Sequence, residues 1–117
     1  MSPGSVDAII LLGNSPCLVK KINQIERCLE QFYSLLKPGG CILVDERNFT
    51  YINELRNEIL GGKFRYSGKY MYCGSAVTGR PVEINSPYVT FGYFRKNGEF
   101  VGALEMHAFK DGELAEL

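Results

Sequence analysis

The five consecutive apolar residues Ala8 to Leu12 constrain this chain more than any other stretch. No polar residue alternates with them, so Val6 to Leu12 reads as a strand with apolar side chains on both faces, the pattern of a parallel strand covered by helices on either side. Gly13-Asn14-Ser15-Pro16 stops it. Ile22, Ile25, Leu29, Phe32 and Leu36 then recur at steps of three or four and lay one apolar stripe along a helix of roughly 14 residues. Asn23 followed by Glu26 marks its start. Lys37-Pro38-Gly39-Gly40 ends it, because proline cannot continue the hydrogen-bond ladder and glycine accepts a left-handed cap. Cys41-Ile42-Leu43-Val44-Asp45 is a second short apolar strand, so residues 6 to 45 make a βαβ unit, expected as a right-handed parallel crossover.

A second helix is expected from about Thr50 to Leu60, with Ile52, Leu55 and Ile59 inward and Gly61-Gly62 closing it. Beyond Gly62 the period changes to two: Phe64, Tyr66, Tyr70 and Tyr72, then Val89, Phe91 and Tyr93. Antiparallel strands follow from that alternation. Lys96-Asn97-Gly98-Glu99 predicts a type I′ turn between Tyr88–Arg95 and Phe100–Phe109, and Thr78-Gly79-Arg80-Pro81 predicts a weaker one between Cys73–Val77 and Val82–Asn85. Asp111 to Leu117 resembles the first turns of a helix. The fold class is α/β in a single domain, 1–117: a βαβα unit over residues 6–60, then an antiparallel β-meander extension over residues 63–110.

Balance of charge narrows the partners. The 13 Lys and Arg offset 13 Asp and Glu over 117 residues and are spread evenly between the halves, so no basic field for nucleic acid arises and no nucleic-acid partner is expected. No apolar run approaches the roughly 18 residues of a membrane span, and the first residues carry no charged stretch leading into an apolar core. The chain is expected in the cytoplasm, away from membranes. Cys17, Cys28, Cys41 and Cys73 fit neither a CxxC pair nor zinc-ligand spacing and are expected as reduced, mostly buried thiols. With His107 the only histidine, no metal site is expected.

Ligands of open α/β sheets bind outside the carboxyl ends of the strands, which brings Gly13-Asn14-Ser15 and Asp45-Glu46-Arg47-Asn48 to one edge. Arg47 is suited to bidentate capture of a carboxylate, and Asn14 to a hydrogen bond with an amine or hydroxyl. The plainer alternative makes Asn14 and Ser15 turn formers and pairs Arg47 with Asp45 or Glu46 on the surface. The Tyr66/Tyr70/Tyr72 stripe is either a ligand-stacking surface or one face of an amphipathic sheet.

The segments Val6-Asp-Ala-Ile-Ile-Leu-Leu-Gly-Asn-Ser15, Phe32-Tyr-Ser-Leu-Leu-Lys-Pro-Gly-Gly40 and Ile42-Leu-Val-Asp-Glu-Arg-Asn48 resemble the second, substrate-side half of a class I S-adenosylmethionine-dependent methyltransferase, nearest the glycine/sarcosine N-methyltransferase family. Leu-Lys-Pro-Gly-Gly before an apolar strand is common to many such enzymes; Leu-Gly-Asn-Ser paired with Asp-x-Arg-Asn is narrower. The likeness covers about residues 6 to 60 and implies a partial Rossmann-like fold. It further implies that Leu12 and Gly13 lie beside the cofactor, that Asn14 faces the substrate amine, and that Arg47 holds an amino-acid carboxylate, with no side chain in a catalytic acid–base role. Glu46 and Leu18 stand where the family often has histidines. A Gly-x-Gly-x-Gly turn after a strand, with an acidic residue ending the next, is missing, so S-adenosylmethionine is implied by the family but not expected to be held by this chain alone. The expectation is a methyltransferase-like chain not competent by itself, working with a complementary half; the alternative is a non-catalytic homo-oligomeric module that binds a small ligand or a protein.

Overall fold

The structure, a computed structural model, describes residues 1–63, 66–72 and 74–117, with Tyr72 described by its backbone alone. Phe64 and Cys73, placed in strands by the sequence, lie outside the described residues. Strands β1 (Val6–Leu11) and β2 (Leu36–Val44) pair in parallel, connected by a short 3-10 turn (Ser15–Leu18) and helix α1 (Ile22–Leu35). Ala8 lies opposite Cys41, Ile10 opposite Leu43 and Leu11 opposite Val44. The helix stops where Pro38 requires it to, but β2 begins at once. Val6 faces Leu36 and Ala8 faces Cys41, so Lys37-Pro38-Gly39-Gly40 bulges opposite the single residue Asp7, with Gly39 at φ 81°. Asn23 does not cap α1: Lys21 is the N-cap, and no side chain closes that end.

Cover on both faces of β1 is not what the chain provides. Ile9 and Leu11 are half-buried, whereas Ile10 and Leu12 are each 60% exposed and Leu43, register partner of Ile10, is 57% exposed. One face of the two-stranded sheet is covered and the other is bare.

The second helical stretch is broken. α2 (Phe49–Glu54), N-capped by Asn48 Oδ1 accepting from the Tyr51 amide at 2.9 Å, gives way at Leu55 to α3 (Arg56–Leu60). Arg56 Nε donates to the Ile84 carbonyl at 2.6 Å and ties α3 to the second sheet. That sheet is a meander: β3 (Gly68–Tyr72), β4 (Ser75–Asn85), β5 (Tyr88–Arg95) and β6 (Phe100–His107), each antiparallel to the next. Thr78-Gly79-Arg80-Pro81 is not a turn but part of β4. Pro81 sits where the β4–β5 register shifts, the one kind of place a paired strand tolerates it, and the shift moves the inward parity from Val77, Gly79 and Pro81 to Ile84. At Lys96-Asn97-Gly98 only Gly98 has positive φ (88°), so the type I′ expectation fails. Arg95 O instead accepts from the Gly98 amide, and a register shift follows between Tyr93 and Phe94.

One core joins both parts. Phe49, Ile52 and Ile59 from the helices, Ile25 from α1 and Cys17 from the 3-10 turn meet Ile84, Val89, Phe91 and Met106 from the meander. Cys41 is exposed and Cys28 half-buried, so burial of the thiols holds fully only for Cys17 among those described. Among the described residues, no helix is long and apolar enough to cross a membrane.

Candidate functional site

The parallel pair brings the residues after β1 and β2 to one edge, and Asp45 joins them. Its carboxylate accepts from the Gly13 amide at 3.1 Å and from the Asn14 amide at 2.7 Å. Two successive amides converge on one group because Gly13 (φ 74°) and Asn14 (φ 61°) are both left-handed, a geometry that aims neighbouring N–H groups at an anion. Asn14 is the only non-glycine residue with positive φ among those described, and asparagine is among the few side chains that accept it. Its Oδ1 accepts from the Arg47 amide at 3.1 Å, its carbonyl accepts from the Cys17 thiol at 2.7 Å, and its Nδ2 reaches the Met106 sulfur at 3.8 Å. One asparagine thus ties the first strand end to the second, to the 3-10 turn and to β6.

From this junction the Arg47 side chain runs toward the meander. Nη1 donates to the Tyr66 hydroxyl at 3.2 Å and Nη2 to the Tyr70 hydroxyl at 3.1 Å, while the guanidinium carbon stands 4.5 Å from the centre of the Phe91 ring. Surface pairing with Asp45 or Glu46 does not occur. Asp45 is committed to the amides, no ion pair to Arg47 forms among the described residues, and Arg47 Nε is buried with no partner. Burial opposes the guanidinium charge, but the hydrogen bonds to Tyr70 and Tyr66 outweigh it and raise the Arg47 pKa on balance. Burial also pushes the Cys17 thiol up to about 11, the nearby Arg47 charge only partly offsetting it, so this sulfur stays protonated and inert at neutral pH. Tyr93 is raised as well, first by burial and then by Tyr70, whose ring meets it edge-on at 5.8 Å.

Leu12 and Gly13 lie on the open side of the same turn: Leu12 is exposed, and nothing stands within 4 Å of where a Cβ on Gly13 would sit. The structure brings Leu12, Gly13, Asn14 and Arg47 to one edge, the edge expected of Gly13, Asn14 and Arg47 from the carboxyl ends of two parallel strands. It adds Tyr66 and Tyr70, which lie 19 and 23 positions beyond Arg47. The even spacing of the tyrosines is a visible signal, open to a ligand-stacking surface or a sheet face; Tyr66 in fact precedes β3 and its hydroxyl is turned to Arg47. His107, at the end of β6, is buried against Phe109 (4.6 Å between ring centres), with Nε2 3.4 Å from Glu113. Glu46 is raised by burial and by the charges of Asp111 and Glu113.

Known proteins resemble this arrangement in sequence and in fold. The chain is 33% identical over 95 residues to a glycine/sarcosine N-methyltransferase of Halorhodospira halochloris, which covers 81% of this chain and 33% of the relative. It is 33% identical over 98 residues to a glycine/sarcosine/dimethylglycine N-methyltransferase of Actinopolyspora halophila, 83% of this chain and 16% of the relative. A glycine/sarcosine N-methyltransferase of Aphanothece halophytica matches at 32% over 87 residues, 74% of this chain and 30% of the relative. The chain spans a third or less of the length of these relatives. No protein-family model matches it. In three dimensions it superposes on a crystal structure of an S-adenosylmethionine-dependent methyltransferase from Clostridium acetobutylicum with a TM-score of 0.59 at 14% identity, over 96% of this chain and 45% of the other. The chain is thus similar in sequence to a segment of the glycine/sarcosine N-methyltransferases, and its α/β fold is that of part of a methyltransferase.

Proposed function

We propose that this chain is the amino-acid-binding portion of an N-methyltransferase, taking a small amino acid of the glycine or sarcosine type at Arg47 and Asn14, and that it does not turn over alone. The observation that carries this reading is the Arg47 guanidinium: half-buried, held by two neutral hydroxyls, and without a carboxylate partner among the described residues. A guanidinium has five N–H donors and two are used here, which leaves donors for a ligand carboxylate. Desolvation by Phe91 and the tyrosines strengthens such a pair relative to one in water. Asn14 Nδ2 has two N–H donors and meets only a weak thioether acceptor, so it can donate to a ligand while Oδ1 keeps the Arg47 amide. Holding the amino acid in a fixed orientation is this chain's share of the reaction.

The cofactor does not fit the residues present. Leu12 and Gly13 offer it one wall, but the Gly13 and Asn14 amides are already committed to Asp45 and are not free for the cofactor's polar groups. A cytoplasmic setting belongs to the same reading, in keeping with the free thiols Cys17, Cys28 and Cys41. Calorimetric titration with glycine and with sarcosine tests the assignment. Binding that Arg47→Ala weakens by about tenfold or more is the expected result, from loss of charge-assisted hydrogen bonds. Unchanged affinity in the variant, or no binding by the native chain, refutes the site; tight binding of S-adenosylmethionine by the chain alone refutes the half-site reading.

A further inference from the structure

Register pairs Ala8 with Cys41 and Ile10 with Leu43, so these four residues share one face of the β1–β2 sheet, continued by Leu12. All five are exposed, and all are apolar or nearly so. Among the described residues neither strand has a second neighbour: the sheet has two members. A parallel pair in an α/β protein is flanked by further strands and covered by helices on both faces, because its backbone edges need partners and its side chains need burial. Among the described residues no helix is left for the task. Ile25 of α1, Phe49 and Ile52 of α2 and Ile59 of α3 are all buried in the core. Beside β2 the cover is thin as well, since a cleft of about 1030 Å³ opens among Leu29, Tyr33, Ile42, Leu43, Val44 and Leu114.

We infer that the bare face and free edges of the β1–β2 sheet are the docking surface for the cofactor-binding portion of a methyltransferase fold, the strands and helices that lie outside these residues. The occupant follows from the superposition. Nearly all of this chain, 96%, finds its place in the Clostridium acetobutylicum methyltransferase, yet it fills only 45% of that molecule, so more than half of such a fold lies outside the match. A second copy of this chain is a poorer fit. It brings another two-stranded sheet with the same missing neighbours and no spare helix, so stacking two copies leaves every edge unpaired. Docking would also bring a cofactor-binding surface to the Leu12-Gly13-Asn14 turn. The inference rests on the methyltransferase likeness and not on Arg47 binding an amino acid, so either can fail without the other.

Co-expression tests it. The tagged chain is produced together with the cofactor-binding portion of the Halorhodospira halochloris relative, expressed without the 95 matched residues. Recovery of a soluble one-to-one complex is expected, in which Cys41, on the covered face, is protected from alkylation while it reacts readily in the free chain. Leu43→Glu, an exposed substitution that leaves the free chain's circular dichroism unchanged, should weaken the complex by about tenfold or more, because a carboxylate is then buried without a partner. Met71→Glu, on the meander at 71% exposure, should not. Three outcomes overturn the inference: the fragment is not retained or stays insoluble beside the chain; the complex forms but Leu43→Glu leaves it intact; or the chain pairs with itself through this face and excludes the fragment.

Discussion

Asn14 holds the strand-end junction by two separable means, and a pair of substitutions pulls them apart. Its side chain takes the Arg47 amide at 3.1 Å in a part-buried setting, and its backbone sits at φ 61°, where most residues are strained. Asn14→Gly removes the side chain but is at ease at that φ. Losing the hydrogen bond leaves the Arg47 amide short of an acceptor for about 1–1.5 kcal/mol, and glycine's extra freedom in the unfolded chain adds about 0.5 kcal/mol, giving about 2 kcal/mol. Asn14→Ala loses the same bond and also the polar side chain that lets asparagine settle in the left-handed region, which adds up to about 1.5 kcal/mol and gives about 3 kcal/mol. Alanine is ordinarily the safer substitution, so this inverted order is diagnostic. Urea unfolding at neutral pH should place the alanine midpoint below the glycine midpoint by about 0.5 M, for a slope of about 2 kcal/mol per molar. Amide exchange adds a local readout: the Arg47 N–H should lose protection in both variants. An alanine variant as stable as the glycine one, or an Arg47 amide that stays protected, refutes the account of the junction.

Other positions test other parts of the structure. Ile52 is fully buried where the helices meet the meander, so Ile52→Ala should cost about 3 kcal/mol in urea unfolding, and a loss below 1 kcal/mol would show that the shared core is not closed there. Tyr70→Phe deletes the acceptor for Arg47 Nη2 at a partly exposed position; amino-acid affinity should fall by about fivefold with the unfolding midpoint nearly unchanged, and the reverse pattern would make Tyr70 structural only. The Lys110 amide, donating to Glu113 at 2.8 Å, and then His107 hold the Glu113 carboxyl below its ordinary 4.5. A folded-state pKa below the unfolded one gives stability that is complete above the unfolded value and disappears as pH falls through the folded one. Glu113→Gln should therefore flatten the acid-side decline between about pH 5 and pH 3, and an unaltered slope would remove Glu113 from the explanation. Thiol-selective reagent at neutral pH should modify exposed Cys41 well before Cys17, whose thiol is buried and raised to about 11; fast reaction at Cys17 would contradict the packing of the 3-10 turn.

What the sequence disclosed and what it hid divide along the distance between interacting residues. The apolar block at Ala8–Leu12, the stripe of α1 and the alternation of β5 are local patterns, and each corresponds to an element in the structure. Thr78-Gly79-Arg80-Pro81 carries a weaker local signal and misleads, because its glycine and proline serve distant partners. A Cβ on Gly79 would lie 2.8 Å from the rings of both Tyr70 and Tyr93, so the glycine makes room for aromatic side chains on the two neighbouring strands, and Pro81 occupies the register shift against β5. The Arg47 site divides the same way. Its placement beside Asn14 follows from a parallel pair whose ends must coincide, whereas its tyrosine partners depend on how the meander folds back over 19 and 23 residues, which no periodicity encodes. The bare face of β1 is the instructive case. Apolar residues at both parities state what the strand requires, cover on two sides, and the chain meets half of that requirement; reading the pattern as a demand placed on the surroundings turns the exposed Ile10 and Leu43 from an anomaly into a specification for what must pack there.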